Sequence, residues 1–308
     1  MRLAVTGATG FVGGEVCRAA VAAGWEVHAF SRRPATVPGA TYQSWDLNGT
    51  PPALSDVDAV VHCAAAATDA GRPSEVWAAN VAGTRRVLDA FPHARIVHVS
   101  SASVYDPFRP AVRATEAEAP VPRYLNAYGA SKAAAERIVL AARRDTVILR
   151  PHAVYGPGDT TLVPRLLENI RAGRLLVPGD GRALLSMTAV GNLAQACLLA
   201  ARSTPTGVFN IADSDTLSID QALRGLLAAA DVDATPVYLP TRLVWPLAAG
   251  LEAVQRFSGR PRRIRLNRYV ISQLAMERTL DIGAAVDRLG YAPTPTMFTY
   301  GERTRQSP

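Results

Sequence analysis

Apolar residues in the first 150 positions come in short dense runs, separated by stretches where they recur every three or four residues. The runs Leu3–Thr6, Glu26–Phe30, Thr41–Trp45, Ala59–His62, Arg95–Val99 and Thr146–Leu149 have the length and composition of strands. Between them, Val12–Ala23, Val76–Ala90 and Ala127–Arg143 carry the helical period. This alternation predicts an α/β fold with a Rossmann-type, doubly wound parallel sheet joined by right-handed crossovers.

After Arg150-Pro151 the rhythm changes. Gly156-Pro157-Gly158-Asp159 and Pro178-Gly179-Asp180-Gly181 mark loops. Helices are expected at Val163–Arg171 and Val190–Ala201, and a strand at Val208–Ile211. The reading is a core over 1–150 to which 189–212 returns, with 151–188 and 213–308 forming a smaller C-terminal α/β subdomain for substrate. Arg242–Phe257 reads as an amphipathic helix with Pro246 near its first turn.

Composition narrows the class. Of 308 residues, 48% are hydrophobic and 19% charged, which suits a buried core. The net charge of +7 does not point to nucleic acid, because the arginines are scattered and no aromatic-basic segment accompanies them. Cys17, Cys63 and Cys197 lack metal-ligand spacing, so three buried reduced thiols and no metal are expected, in a reducing compartment. No run approaches the ~20 apolar residues of a membrane span. The chain starts directly on a strand, so no secretory leader is expected and a cytoplasmic location is. Of 33 basic residues one is lysine, Lys132. Its position should therefore need chemistry that arginine cannot perform.

Thr6-Gly7-Ala8-Thr9-Gly10-Phe11-Val12-Gly13 joins the first strand to the first helix. Gly7 permits the turn, Gly10 admits a pyrophosphate against the backbone, and Gly13 lets helix and sheet pack closely. The helix start at Phe11 and Val12, beside Thr9, offers N–H groups and a positive dipole end to phosphate. The second strand ends Ser31-Arg32-Arg33 where a carboxylate would bind the free ribose of NAD. Two guanidiniums there suit the 2′-phosphate of NADP(H). Asp46-Leu47 is either an adenine contact or a turn.

Tyr128 and Lys132 are four residues apart, on one face of a helix. An ammonium beside the phenol is expected to lower its pKa and make it a usable acid–base, while also reaching the nicotinamide ribose. Ser100 and Ser101 follow the fifth strand, at the ligand end of a parallel sheet, where a serine can polarise a carbonyl.

Together these residues resemble the extended short-chain dehydrogenase/reductase family, the NAD-dependent epimerase/dehydratase superfamily. The resemblance spans Thr6–Gly13, Asp46-Leu47, Val61–Ala65, Asn80–Thr84, Ser100–Tyr105, Tyr128–Lys132, Arg150–Asp159 and Leu289–Pro293. It implies that Ser101 is the catalytic serine, Tyr128 the acid–base and Lys132 its partner. It also implies that Ala64, Ala65, Ala66, Asn80 and Ser100 lie along the cofactor, with Pro151, Ala153 and Val154 near the nicotinamide. Arg150–Asp159 and Arg278–Asp281 look most like the 3β-hydroxysteroid dehydrogenase and ketoreductase branch. The sequence departs from sugar-nucleotide enzymes. Ala102-Ser103 replaces the Asp-Glu pair of dehydratases, and Leu185-Ser186 stands where epimerases carry Arg-Asp.

The arginine pair and the resemblance together imply an NADPH-dependent oxidoreductase acting on a ketone or alcohol of a largely apolar small molecule: a polyketide, sterol or alkyl ketone. A sugar-nucleotide epimerase and a non-catalytic dinucleotide-binding regulator are the alternatives. Arg256, Arg260, Arg262, Arg263, Arg265 and Arg268 read as a solvated run, or as a site for an anionic substrate end or an acidic carrier protein. The chain is expected to be a monomer or homodimer.

Overall fold

The computed structural model describes residues 1–34, 36–52, 56–67, 72–142, 145–258 and 266–300, excepting the side chains of 255–258. In chain order its first elements are β1 (Arg2–Thr6), α1 (Phe11–Ala22), β2 (Glu26–Ser31), β3 (Thr41–Ser44) and β4 (Ala59–His62). Then come α2 (Pro73–Trp77), a π-helical turn (Ala78–Ala82), α3 (Gly83–Ala90), β5 (Arg95–Val99), β6 (Ala111–Ala114) and α4 (Ala127–Ala142). The middle holds β7 (Thr146–Pro151), β8 (Val154–Tyr155), α5 (Leu162–Leu167), β9 (Ile170–Arg171) and β10 (Arg174–Pro178). It continues through β11 (Leu184–Ser186), β12 (Thr188–Ala189), α6 (Val190–Arg202) and β13 (Gly207–Ile211). Last are β14 (Thr216–Ser218), α7 (Ile219–Ala229), β15 (Thr235–Leu239), α8 (Thr241–Ser258), α9 (Arg268–Leu274), β16 (Arg278–Leu280) and α10 (Gly283–Leu289).

Seven parallel strands form the large sheet, in the order β13-β7-β5-β4-β1-β2-β3. This is the doubly wound arrangement expected from the sequence. Chain direction across the sheet reverses between β1 and β4, and a crevice opens beyond their carboxyl ends. The inner strands β4, β5 and β7 are buried on both faces, while the edge strand β3 is mostly exposed. One face packs Val16, Cys17 and Ala20 of α1 and Leu193 and Cys197 of α6. The other packs Val87 and Leu88 of α3 and Val139 of α4.

The smaller lobe contains two sheets, β15-β10-β9 and β14-β11-β16-β6, while β8 and β12 pair beside the core. Strand β6 comes from the first 150 residues yet lies against β16, a long-range pairing with no local signature. The expected helix Val163–Arg171 is shorter, ending at Leu167. Ala172 and Gly173 then adopt positive φ (48° and 69°), which turns β9 back onto β10 as a hairpin.

In α8, Pro246 lies inside the helix rather than in its first turn. Val244 and Ala248 are buried against Ile271 of α9. Leu243, Leu247, Leu251 and Val254 form the outward row and are 42–67% exposed. Of the arginine run, Arg260, Arg262, Arg263 and Arg265 lie outside the described residues, as does the side chain of Arg256. Arg268 is held by Glu252 at 2.8 Å. Among the described residues no helix is long and apolar enough to cross a membrane, and no cluster of His, Cys, Asp or Glu is arranged to hold a metal.

Candidate active site

A cleft of about 570 Å³ lies over the carboxyl ends of β1, β2 and β4. Gly7, Thr9, Gly10, Ser31, Arg32, Arg33, Asp46, Leu47, Ala64, Ala65 and Ala66 all line it. Phe11 and Val12 begin α1 directly after the turn, with Gly10 as N-cap. Gly7 has φ +71°, and a Cβ there would lie 2.8 Å from the Ala64 nitrogen. A Cβ on Gly13 would overlap the Gly7 carbonyl oxygen, so α1 sits against the turn only because position 13 is bare. The floor of the cleft is thus backbone, as a close-lying pyrophosphate requires.

Beyond β2, the Ser31 hydroxyl and the Tyr42 hydroxyl both donate to the Arg33 carbonyl, at 2.8 and 2.7 Å. The backbone of the arginine pair is therefore fixed while its side chains stay exposed. Asp46 lines the cleft and also accepts the Asn48 N–H at 2.8 Å, so it is a turn residue as well. Sequence reasoning missed Trp45, Asn48, Glu75, Val76 and Ala79 along the same walls. Only the sheet order brings these segments together. Cys63 lines the cleft too and is half-buried, rather than fully buried as expected; all three thiols are free.

A buried hydrogen-bond chain ties the cleft together. Thr84 Oγ1 donates to the Asn80 carbonyl at 2.6 Å, so it must accept from His62 Nε2–H at 3.0 Å. His62 Nδ1 then accepts from Thr6 Oγ1 at 2.7 Å, and Thr6 Oγ1 faces the Ala64 N–H at 3.4 Å. Burial pushes the His62 pKa down to about 3, so the imidazole is neutral and this tautomer is fixed. Asn80 is turned inward from the π-helical turn. Its amide accepts from Ala66 N–H at 2.7 Å and donates to Ser131 Oγ at 2.9 Å. Its side chain braces the Ala64–Ala66 loop against α4.

The expected chemical groups converge at the ends of β5 and α4. Asn126 Oδ1 accepts the Gly129 N–H at 2.9 Å, fixing the first turn of α4 where Tyr128 stands. Ser101 follows β5, and its hydroxyl bears on the Tyr128 phenol. Burial nevertheless pushes that phenol up to about 12, with Ser101 and Arg165 pulling it down. The expectation that Lys132 sets this pKa is corrected. Lys132 Nζ donates to the Val99 carbonyl at 2.6 Å, and burial pushes its own pKa down to about 8 against the pull of Glu136. Ser100 is buried, and its hydroxyl is committed to Glu136 at 2.6 Å. Glu136 also takes Arg150 Nε and Nη2 at 2.9 and 2.7 Å, a fully buried ion pair behind the site.

At the end of β7, Pro151 and His152 are followed by Ala153 at φ 45°, a strained conformation for a residue with a Cβ. Val154 then pairs with Thr188. The His152 ring contacts the Ser186 carbonyl at 2.8 Å and the Gln273 amide at 3.1 Å.

This geometry agrees with comparisons to known proteins. Residues 3–212 match the model of the NAD dependent epimerase/dehydratase family. The chain belongs to that family. It is 33% identical to the 2-alkyl-3-oxoalkanoate reductase of Stenotrophomonas maltophilia, covering 95% of each chain. It is 31% identical to a 4-hydroxy-2-methyl-3-oxo-4-farnesyl-3,4-dihydroquinoline-1-oxide ketoreductase of Stigmatella aurantiaca, covering 95% of this chain and 92% of the other. Human sterol-4-alpha-carboxylate 3-dehydrogenase, decarboxylating, is 28% identical over 78% of this chain and 69% of its own. Among solved structures, MoeE5 in complex with UDP-glucuronic acid and NAD superposes with TM-score 0.70 at 25% identity, covering 96% and 95%. The family, its reductase and dehydrogenase members and the Ser101–Tyr128–Lys132 set support an oxidoreductase of the extended short-chain dehydrogenase/reductase type.

Proposed function

We propose that this protein is an NADPH-dependent reductase of a ketone on a largely apolar small molecule. The observation that carries the reading is the Ser101 hydroxyl set on a half-buried, protonated Tyr128 phenol beside a dinucleotide cleft. Gly7, Thr9, Gly10, Phe11 and Val12 would hold the pyrophosphate, Arg32 and Arg33 the 2′-phosphate, and Asp46 and Leu47 the adenine. Ala64–Ala66, Pro151, Ala153 and Val154 would follow the rest of the cofactor. Asn80 and Ser100, also expected along the cofactor, are bonded to Ala66 and Glu136 and would brace the loop and strand end that face it.

Bound in its reduced form, the nicotinamide supplies a hydride to the carbonyl carbon. The chain's own residues handle the oxygen. Ser101 donates a hydrogen bond to it, and Tyr128 transfers its proton as the alcohol forms. A phenol held near 12 keeps that proton at neutral pH, which suits reduction. Lys132, anchored on the Val99 carbonyl, would present an ammonium to the nicotinamide ribose.

The relatives' names sharpen the substrate class. In a 2-alkyl-3-oxoalkanoate, and at C3 of a sterol-4-carboxylate, the reacting carbon adjoins the carbon bearing the carboxylate. An α-substituted β-oxo acid or ester is the corresponding choice here. The UDP-sugar in MoeE5 favours a second reading, sugar-nucleotide epimerisation. One assay separates them: absorbance at 340 nm with NADPH and ethyl 2-methyl-3-oxobutanoate, beside chromatography of UDP-glucose and UDP-glucuronic acid. Net NADPH loss with the ester supports the reductase. Sugar interconversion without net cofactor change overturns it.

A further inference from the structure

The hydroxyl groups at the site continue past Ser101. Ser103 Oγ lies 2.9 Å from Ser101 Oγ, and the Tyr269 hydroxyl lies 2.9 Å from Ser103 Oγ. The Ser103 N–H also donates to Ser101 Oγ, at 3.1 Å. Tyr269 belongs to α9, far along the chain, and the residue one turn later, Gln273, reaches His152 at the end of β7. Helix α9 is thus joined to the ends of two core strands by two side chains at helical spacing.

A hydroxyl has one proton and two lone pairs. The Ser103 N–H occupies one lone pair of Ser101. If Ser103 donates its proton to the other, Ser101 has only its own proton left to direct, and the Tyr128 side is where it can go. That orientation is favoured when Ser103 accepts from a donor of its own, which leaves its proton for Ser101, and the Tyr269 O–H can supply that donor. Hydrogen bonds in series also polarise one another in a poorly solvated site.

We propose that Tyr269, acting through Ser103, is a positioning residue that turns the Ser101 hydroxyl proton toward the reacting oxygen. The proposal rests on the reductase reading for its kinetic consequences, but its structural consequence does not. Both hydroxyls belong to the chain that ends on Ser101, and Tyr269 also acts on the Tyr128 phenol through its charge, raising its pKa. Both act through Ser101, so their loss should lower kcat and leave NADPH binding alone.

Two measurements test this. The first is kcat and KM for ethyl 2-methyl-3-oxobutanoate with NADPH in Tyr269→Phe, Ser103→Ala and Ser103→Thr. Removal of the Ser103 hydroxyl should lower kcat about tenfold, the factor of one ordinary hydrogen bond, with Tyr269→Phe in the same direction. NADPH KM should change less than about twofold, because binding and chemistry separate in this way when a transition-state contact is lost. Ser103→Thr, which keeps the hydroxyl, should restore most of the rate. The second is a crystal structure of the wild type and of both hydroxyl-deletion variants without substrate, reading the Ser101 side-chain rotamer. Ser101 should leave its single rotamer in Ser103→Ala. An unchanged Ser101 rotamer in both variants overturns the proposal even if no ketone is reduced. Wild-type kcat in both variants overturns it as well, as does a loss in Ser103→Ala that Ser103→Thr fails to rescue. A wild type that ignores the ester while the rotamer shifts refutes the reductase reading and leaves the positioning role supported.

Discussion

Tyr128 is a weak acid that burial holds to its proton, its pKa pushed up to about 12. Replacing Tyr128 with Phe removes the proton donor and should cut ketone reduction about 100-fold or more, the scale of general acid catalysis. Fluorescence titration of NADPH should show nearly unchanged affinity. Lys132, pushed down to about 8 by burial, is charged below that pH and neutral above it. The pH profile of kcat/KM for the free enzyme should therefore fall above about 8. Lys132→Arg should not restore the wild-type rate, because a planar fork cannot replace a compact ammonium on the Val99 carbonyl. Arg32 and Arg33 belong to the same scale. Changing both to Ala should reduce the preference for NADPH over NADH by about 100-fold or more, at about 1.5–3 kcal/mol for each of two charge-assisted bonds; competing cofactor titrations measure it. The main chemical residues were legible because their spacing is local: Tyr128 and Lys132 share a helix face, and Ser101 follows a strand. Ser103, His152 and Tyr269 were not. Each needs a partner more than thirty residues away, and no local pattern announces that partner.

At the scale of elements, the turn between β1 and α1 is held by absence of side chains. A methyl at position 13 would meet the Gly7 carbonyl, so Gly13→Ala must shift α1 or the turn. Overpacking of this kind costs about 1–3 kcal/mol, and the displaced turn should weaken NADPH binding more than the thermal midpoint suggests. A parallel thermal melt and NADPH titration distinguish the two effects; undiminished affinity would mean the turn adapts. The core elements were readable from apolar runs and helical period because the inner strands of the large sheet are covered on both faces. The smaller lobe was less readable. Its β6 pairs with β16 across more than 150 residues, and the segment read as one helix over 163–171 divides into α5 and a hairpin strand. There the positive φ of Ala172 overrides a continuous helical pattern, and Ala gives no sign of it.

At the scale of the whole molecule, two buried histidines, His62 and His98, lie side by side in the core with ring centroids 5.2 Å apart. His98 has no hydrogen-bond partner at either ring nitrogen among the described residues. Burial pushes His62 down to about 3 and His98 well below its ordinary value, whereas in an unfolded chain both titrate near 6.5. The unfolded state then binds more protons below that pH, so stability falls with acidification. The slope is about 1.4 kcal/mol per pH unit for each histidine. The melting temperature should be level above pH 7 and drop steadily from 6.5 toward 4, and His98→Phe should shallow the decline. A flat midpoint between pH 7 and 5 would show that these imidazoles take up protons in the folded state.

In the proposed reduction a hydride leaves the cofactor for a substrate carbonyl while Tyr128 supplies the proton. Isotope transfer tests it most directly. NADPH carrying deuterium at C4 of the nicotinamide, prepared in both 4R and 4S forms, is incubated with the protein and ethyl 2-methyl-3-oxobutanoate, and the alcohol is examined by mass spectrometry. One of the two forms should deliver a single deuterium to the carbinol carbon, and Tyr128→Phe should suppress the product without changing which form transfers the label. Alcohol free of deuterium from both forms, or no alcohol at all while UDP-sugars interconvert, would contradict the account.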